Sequence, residues 1–477
     1  MLGLAEAKPV HARWAQANGD YLDFVARNPE YLERAAYRSI YDAEWLRKLT
    51  IQPWPLFVDA AQRHEMRDVA RGVDGVMRGA IARFLENDPA EVAAFYASDD
   101  AEPEGGGWTF SPDEDFLAML LEEPDGVTSA ASRGDYIEDR EGLKLVEYNA
   151  GGFLGGIQVD AIAELYVASA PTARFLAEQG RRAQAQGVLR AYFRHVAEST
   201  AASGVWRGGE PLNTAFMMLP NEPVMVALHS RELYEREYAR ALADAGIREG
   251  GKVLLCGGEE LVESGGWLTV RGHRVHALLE HYQGVGDIRA AFRYFKLGRL
   301  NLFSGPIGNL MSDKRNLALV SEQEGSDEFT AAEREVIRRH LPWTRRVRPM
   351  RTTWRGRPFR LPEDLVARRE ELVLKKACSI GGSYVHVGRF RSDDEWARVV
   401  ARALRDGDWI VQEYLETVPY VFQRGETGAG RVDMVWGLFV FGEHYGGAVL
   451  RMQPAGSGTG VVNQQTGAEV GAMVDLV

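Results

Sequence analysis

Between Ser132 and Asn149 the chain reads SRGDYIEDREGLKLVEYN, an alternation of apolar and polar residues around one short charged turn. A period of two predicts a two-stranded hairpin, because successive side chains of a strand point to opposite faces. The rule sets Glu147 and Asn149 on one face with Val146 and Tyr148 on the other, and it sets Arg133 beside Asp135. If the turn holds an odd number of residues, odd positions oppose odd positions and the four polar side chains meet in one patch. Carboxylate and amide oxygens are what Mg²⁺ accepts, usually one or two carboxylates completed by nucleotide phosphates. An arginine beside them suits a phosphate or a developing oxyanion. A hairpin whose solvent face is simply polar satisfies the same pattern. The next segment, GGFLGG from Gly151 to Gly156, fits a backbone that approaches a ligand closely and equally a plain flexible turn.

The rest of the chain decides how much can be built around such a hairpin. Its 477 residues allow two or three packed units, and 45 % hydrophobic with 26 % charged residues places it among folded globular proteins. A net charge of -12 argues against a nucleic-acid partner, which requires Lys and Arg to neutralise phosphates. Two cysteines, Cys256 and Cys378, make neither a disulfide framework nor a zinc spacing, and a reducing cytoplasm is expected. The start MLGLAEAKPVHARW has too short an apolar stretch for a signal peptide. No uncharged apolar run approaches the roughly 20 residues of a membrane helix.

Periodicity organises the chain into an expected mixed α/β (α+β) architecture. A helical N-terminal region spans residues 1–105, and its end is marked by the Gly-, Pro- and acid-rich SDDAEPEGGGW. Residues 106–185 hold the hairpin and a helix over Val159 to Ala168. Residues 186–310 carry a small α/β layer: strand Thr214 to Pro220, a long helix, and strand Lys252 to Cys256. Within it, GGEELVESGG reads as a loop, and WLTVRG and RVHALLEHY as short strands, the latter holding Glu280 and His281. Residues 311–411 begin a further lobe, in which TRRVRPMRTTWRGRP reads as a basic linker and Asp394 to Leu404 as a helix. Residues 412–477 supply the last strands, GLFVFG and YGGAVLRM.

That lobe holds a second constellation. Lys314 follows a Gly/Pro/Asn-rich loop at the start of a helix. The strand ELVLKKA ends in Lys375 and Lys376 and runs into a loop with Gly381, Gly382 and Ser383. A strand lysine with a glycine loop holds nucleotide phosphates by point charge and backbone N–H groups, although any strand can end in lysines and a turn. No GxxxxGK[ST] string is present, so this is not a Walker A loop. The strand DWIVQEYLE places Gln412, Glu413 and Tyr414 where backbone could read adenine, or where an ordinary buried strand has a Gln-Glu step.

Taken in order, these segments resemble the circularly permuted ATP-grasp proteins, in particular the synthetase domain of glutathionylspermidine synthase. The RGD and VEYN strands come first and the lysines last, as in that permuted group, over roughly Ser132 to the C-terminus. The resemblance implies an ATP-grasp fold in circularly permuted order. Asp135, Glu147 and Asn149 would hold two Mg²⁺ ions on ATP, and Arg133 would face an acyl-phosphate. Lys314 and Lys375 would be the nucleotide lysines, the loop of Gly381, Gly382 and Ser383 the phosphate lid, and Gln412, Glu413 and Tyr414 the adenine hinge. Arg451, in GGAVLRM, would be the second arginine on the tetrahedral intermediate. The lid ACSIGGSYVHVG departs from the more glycine-rich run of relatives, and the N-terminal region holds no recognisable amidase domain. The implied reaction is ATP-dependent joining of a small-molecule or peptide carboxylate to an amine, with ADP and phosphate released. A phosphotransferase and a nucleotide-binding subunit without turnover are the rivals from other classes. The acid, the amine and the oligomeric state are not legible.

Overall fold

The hairpin forms in the computed structural model as two strands, Ala131–Asp139 and Gly142–Ala150, on the edge of an eight-stranded sheet. The structure describes residues 2–43, 49–97, 131–151, 154–217, 224–280, 288–303, 306–379, 382, 384–458, 460–463 and 467–477. Beyond the hairpin, the sheet continues through Ala429–Phe441, His444–Pro454, Glu469–Leu476 and Leu56–Val58. Neighbours are antiparallel except that Leu56–Val58 runs parallel to Met473–Asp475. Residues 436 to 441 of the long central strand are all buried, as expected of a strand covered on both faces. Helices Ala60–Leu85 and Val188–Ala202 pack against these strands. The N-terminal region is therefore not a helical unit by itself, since Leu56–Val58 joins the sheet and its side chains are fully buried.

A four-stranded parallel sheet forms the predicted α/β layer, in the order Asn301–Leu302, Ala277–Glu280, Thr214–Met217, Val253–Cys256. Two details differ from expectation. Leu261–Ser264, read as loop, pairs with Trp267–Val270, and RVHALLEHY divides between that small sheet and the parallel one. His281 and residues 218–223 lie outside the described residues.

A smaller antiparallel sheet carries the lysine strand. Its order is Thr344–Arg346, Trp409–Glu413, Leu372–Lys376, Val385–Val387. Alternation gives it two different faces. Leu372, Leu374, Trp409 and Val411 enter a separate core with Trp354, Phe359, Leu361, Leu365 and Trp396, while Lys375, Ile410 and Gln412 point the other way. The helix behind that core, Asp393–Asp406, starts at a Ser392/Glu395 capping box and stops at Gly407, whose φ of 75° suits glycine. The stretch read as a basic linker is structured: Met350–Trp354 and Arg357–Leu361 make a hairpin. Its arginines concealed the alternation that sends Trp354, Phe359 and Leu361 into the core. Among the described residues no helix is long and apolar enough to cross a membrane.

Behind the hairpin, Asp74 is 6 % exposed and collects three partners. It pairs with Arg78 at 2.7 Å, accepts from Tyr148 Oη at 2.7 Å, and accepts from Ser132 Oγ. Replacing a shared buried acceptor strands its donors, so Asp74→Ala should lower the unfolding free energy by about 3 kcal/mol, measured by urea denaturation. An unchanged midpoint would show that the hairpin does not rely on this anchor.

Candidate functional site

The turn of the hairpin holds two residues, Arg140 and Glu141, an even number that would set odd positions against even ones. From Asp139↔Gly142 to Tyr136↔Leu145 that is the pairing. A bulge then inserts Val146, and the register continues as Asp135↔Glu147 and Arg133↔Asn149. One extra residue thus brings the four polar side chains onto one face. It also leaves the Val146 carbonyl outside the ladder, where Lys375 Nζ donates to it at 2.7 Å.

Asp135 is 1 % exposed and is the centre of the patch. Arg133 grips it with two bonds, Nε to Oδ1 at 2.8 Å and Nη2 to Oδ2 at 3.0 Å. Arg451 reaches Oδ2 at 2.5 Å from the strand two places along the sheet, and Asn149 Nδ2 donates to the same oxygen at 3.3 Å. Burial alone would raise the Asp135 pKa, but the two guanidiniums outweigh it and hold the carboxyl down at about 2. Burial likewise acts to lower the Arg451 pKa, and the Asp135 charge overcomes it, so the net shift is upward.

The second lobe closes over this face. Lys314, 4 % exposed, lies 3.0 Å from Glu147 Oε1 and donates to the Ser379 carbonyl at 2.7 Å. Its position is fixed by its neighbours: Arg315 pairs with Asp313 at 2.7 Å and donates to the carbonyls of Tyr96 and Ala97. Lys375 also donates to Gln412 Oε1 at 2.7 Å, and Gln412 Nε2 in turn donates to Thr344 Oγ1. Burial is the main reason that Lys375 falls from its ordinary 10.5 to about 8; nearby Glu147 opposes the fall and Lys314 adds to it. Lys376, one residue on, turns to the other face beside Asp408 at 3.6 Å.

The structure therefore brings Arg133, Asp135, Glu147, Asn149, Lys314, Lys375, Gln412 and Arg451 together. Glu413 alternates away, accepting from Trp343 N at 3.0 Å and Trp354 Nε1 at 3.2 Å. The amides of Glu413 and Tyr414 are engaged by the carbonyls of Trp343 and Glu371, and Arg389 covers the Tyr414 ring at 4.1 Å. Gly381 and Ser383 lie outside the described residues, as do Gly152 and Phe153. Gly382 adopts φ 72°, and a Cβ there would stand 2.7 Å from Val461. Gly151 serves packing, since a Cβ on the facing Gly308 would come 2.9 Å from its Cα.

Among the described residues no group of three or more His, Cys, Asp or Glu side chains could hold a metal. A metal here needs Asn149 as the third donor beside Asp135 and Glu147, which is a hard-oxygen set of the kind Mg²⁺ takes. The buried Arg451 Nε has no hydrogen-bond partner among the described residues, as suits a guanidinium awaiting an anion. A cleft of about 940 Å³ at the far end of the sheet, lined by Arg63, Arg71 and Arg190, is a different case. Its arginines already face Asp475, Glu443 and Asp244.

With this geometry in hand, comparison with known proteins is informative about fold. A glutathione synthetase-like effector from Globodera pallida, solved in its apo form, superposes with a TM-score of 0.55 over 94 % of this chain and 95 % of its own, at 13 % identity. The two chains share a fold. A second solved structure, described as a gamma-glutamylcysteine synthetase from Methylobacillus flagellatus, aligns over 74 % of this chain and 85 % of its own at 12 % identity, with a TM-score of 0.39, too low to argue from. No family model and no curated protein matches the chain.

Sequence reasoning missed the Val146 bulge, Ser379, Thr344, the Asp313–Arg315 pair and Gly437. Gly437 sits across from Asp135, and a Cβ on it would come 2.9 Å from Arg133 Cδ. A lone glycine inside the apolar run WGLFVF is the signal that points to such a close approach. The lysine offers a direct check of the electrostatics. In ¹³C-lysine NMR of the nucleotide-free protein one resonance should titrate near pH 8 and vanish in Lys375→Met. The folded chain holds this proton less tightly than the unfolded one, so the stability contribution of Lys375 should rise with pH between about 8 and 10.5. A midpoint near 10.5 would refute the burial of its charge.

Proposed function

We propose that this chain is an ATP-dependent carboxylate–amine ligase with an ATP-grasp site in circularly permuted chain order, similar to the synthetase domain of glutathionylspermidine synthase. One observation carries the reading: two carboxylates, an amide, two arginines and two lysines, drawn from four separated stretches of chain, converge on one face. The synthetase-like name of the Globodera pallida protein with the same fold supports a ligase at the coarse level.

In this reading Lys314 and Lys375 bind the phosphates of ATP and Gln412 borders the base; the expected hinge role of Glu413 and Tyr414 does not extend to their amides, which are bonded to Trp343 and Glu371. The loop read as covering the phosphates is represented among the described residues by Gly382. Asp135, Glu147 and Asn149 would hold two Mg²⁺ ions; when bound, Mg²⁺ offsets the charge of the transferring phosphoryl group. Arg133 and Arg451 orient the substrate carboxylate and offset its charge as it attacks the γ-phosphate. They then stabilise the oxyanion formed when a neutral amine attacks the acyl-phosphate and phosphate departs. Before nucleotide arrives, the Asp135 carboxylate keeps both guanidiniums at the site.

A phosphotransferase would leave a stable phosphoester, and a non-catalytic subunit would tolerate loss of its metal ligands. The test is ADP release across a panel of acids and amines, with mass spectrometry of the product. ADP and phosphate should appear only when a carboxylate and an amine are both present. Glu147→Ala should reduce that release at least about a hundredfold, with the thermal midpoint little changed. If no pair stimulates ADP release while nucleotide is bound, the ligase reading fails.

A further inference from the structure

The two carboxylates of the site are already neutralised by its own cations. Both oxygens of Asp135 are held by Arg133, and Oδ2 carries Arg451 and the Asn149 amide N–H as well. Glu147 Oε1 holds Lys314 at 3.0 Å, and the Lys375 ammonium is bonded to the carbonyl of Val146, the residue before Glu147. Four cationic side chains therefore surround two carboxylates before any ligand arrives. A bare divalent cation would meet a net positive field, and it would have to displace a guanidinium or an ammonium to reach either carboxylate. A nucleoside triphosphate reverses this balance. Its phosphates offer Arg451 and Lys314 a better partner, freeing Oδ2 of Asp135 and Oε1 of Glu147 just as the added negative charge attracts the metal.

We propose that Arg451 and Lys314 act as stand-in counter-ions for the metal, so that this site refuses free divalent cations and admits them only together with a nucleoside triphosphate. The inference rests on the reading of the site as one for Mg²⁺ and ATP, and it assigns Arg451 and Lys314 a positioning task that precedes the reaction. The coupling is reciprocal: nucleotide raises metal affinity, and metal raises nucleotide affinity by the same factor.

Mn²⁺ serves as the probe, because bound and free Mn²⁺ are distinguished by electron paramagnetic resonance on the full chain. Wild type should take up little Mn²⁺ alone and form a ternary complex when a non-hydrolysable ATP analogue is added. Arg451→Gln and Lys314→Gln should each bind free Mn²⁺ about tenfold more tightly than wild type, whereas Arg451→Lys, which keeps the charge, should stay close to wild type. Two substitutions at separate places guard against one of them failing to fold, and circular dichroism checks both. Tight binding of Mn²⁺ to nucleotide-free wild type, or no gain in either neutral variant, overturns the proposal. That result leaves the ligase reading standing if ADP release persists. Absence of Mn²⁺ binding with and without the analogue overturns the metal site itself, and the separate ADP-release assay then judges the ligase reading.

Discussion

The buried Asp135 carboxylate sets the terms for everything built around it. An ion of that size costs several kcal/mol to remove from water unless its oxygens are paired and hydrogen-bonded. Here the pairing comes from Arg133 on the same strand and Arg451 on a strand two places along the sheet, so the requirement to neutralise one charge ties three neighbouring strands into a fixed relation. The strand between them must let the arginine side chain pass, and at that point it has Gly437. The glycine, the two arginines and the aspartate are one solution to a single desolvation problem.

The same economy appears where the two lobes meet. The small sheet has given one face to its own core of Trp354, Phe359, Trp396 and Trp409, so only the opposite face, with Lys375, Ile410 and Gln412, remains to wall the site. Ile410 joins the larger core, and the lysine beside it reaches a carbonyl that the hairpin left outside its ladder. The strand is the last of its sheet, so carbonyls on its outer edge have no ladder partner and the Val146 carbonyl is open to the lysine. The bulge at Val146 rotates Glu147 and Asn149 onto the Asp135 face, next to the acceptor that seats the second lobe.

How legible this was in the sequence follows from the range of each interaction. The hairpin, the α/β layer and the lysine strand were readable because alternation is a local property, and Arg133, Asp135, Glu147 and Asn149 share a face through nothing more than period two. The condition placed on the turn was the wrong route to the right convergence: the turn is even, and the bulge supplies the missing residue. No local signal marks Val146 as the bulged position, since a valine fits a regular strand equally well. The arginine-rich stretch after Trp343 was misread because charge on one face hid the apolar residues on the other. Leu56–Val58 was too short to register as a strand within a helical region, and it exists only because Met473–Asp475, over 400 residues later, gives it a partner.

Long-range placement is also what makes chain order uninformative about geometry. Arg451 lies more than 300 residues from Asp135 in sequence and in contact with it in space, while Lys375 and Lys376 are adjacent in sequence and on opposite faces. A site assembled this way tolerates rearrangement of its connections, provided that each strand keeps its register and each side chain its parity. The acidic strands can precede the lysine strands, or follow them, without altering which groups meet. What cannot change is the parity of Lys375 against Lys376: a shift of one residue in that strand would send Lys375 into the tryptophan core and bring Lys376 to the site, leaving Asp408 without the cation now beside it.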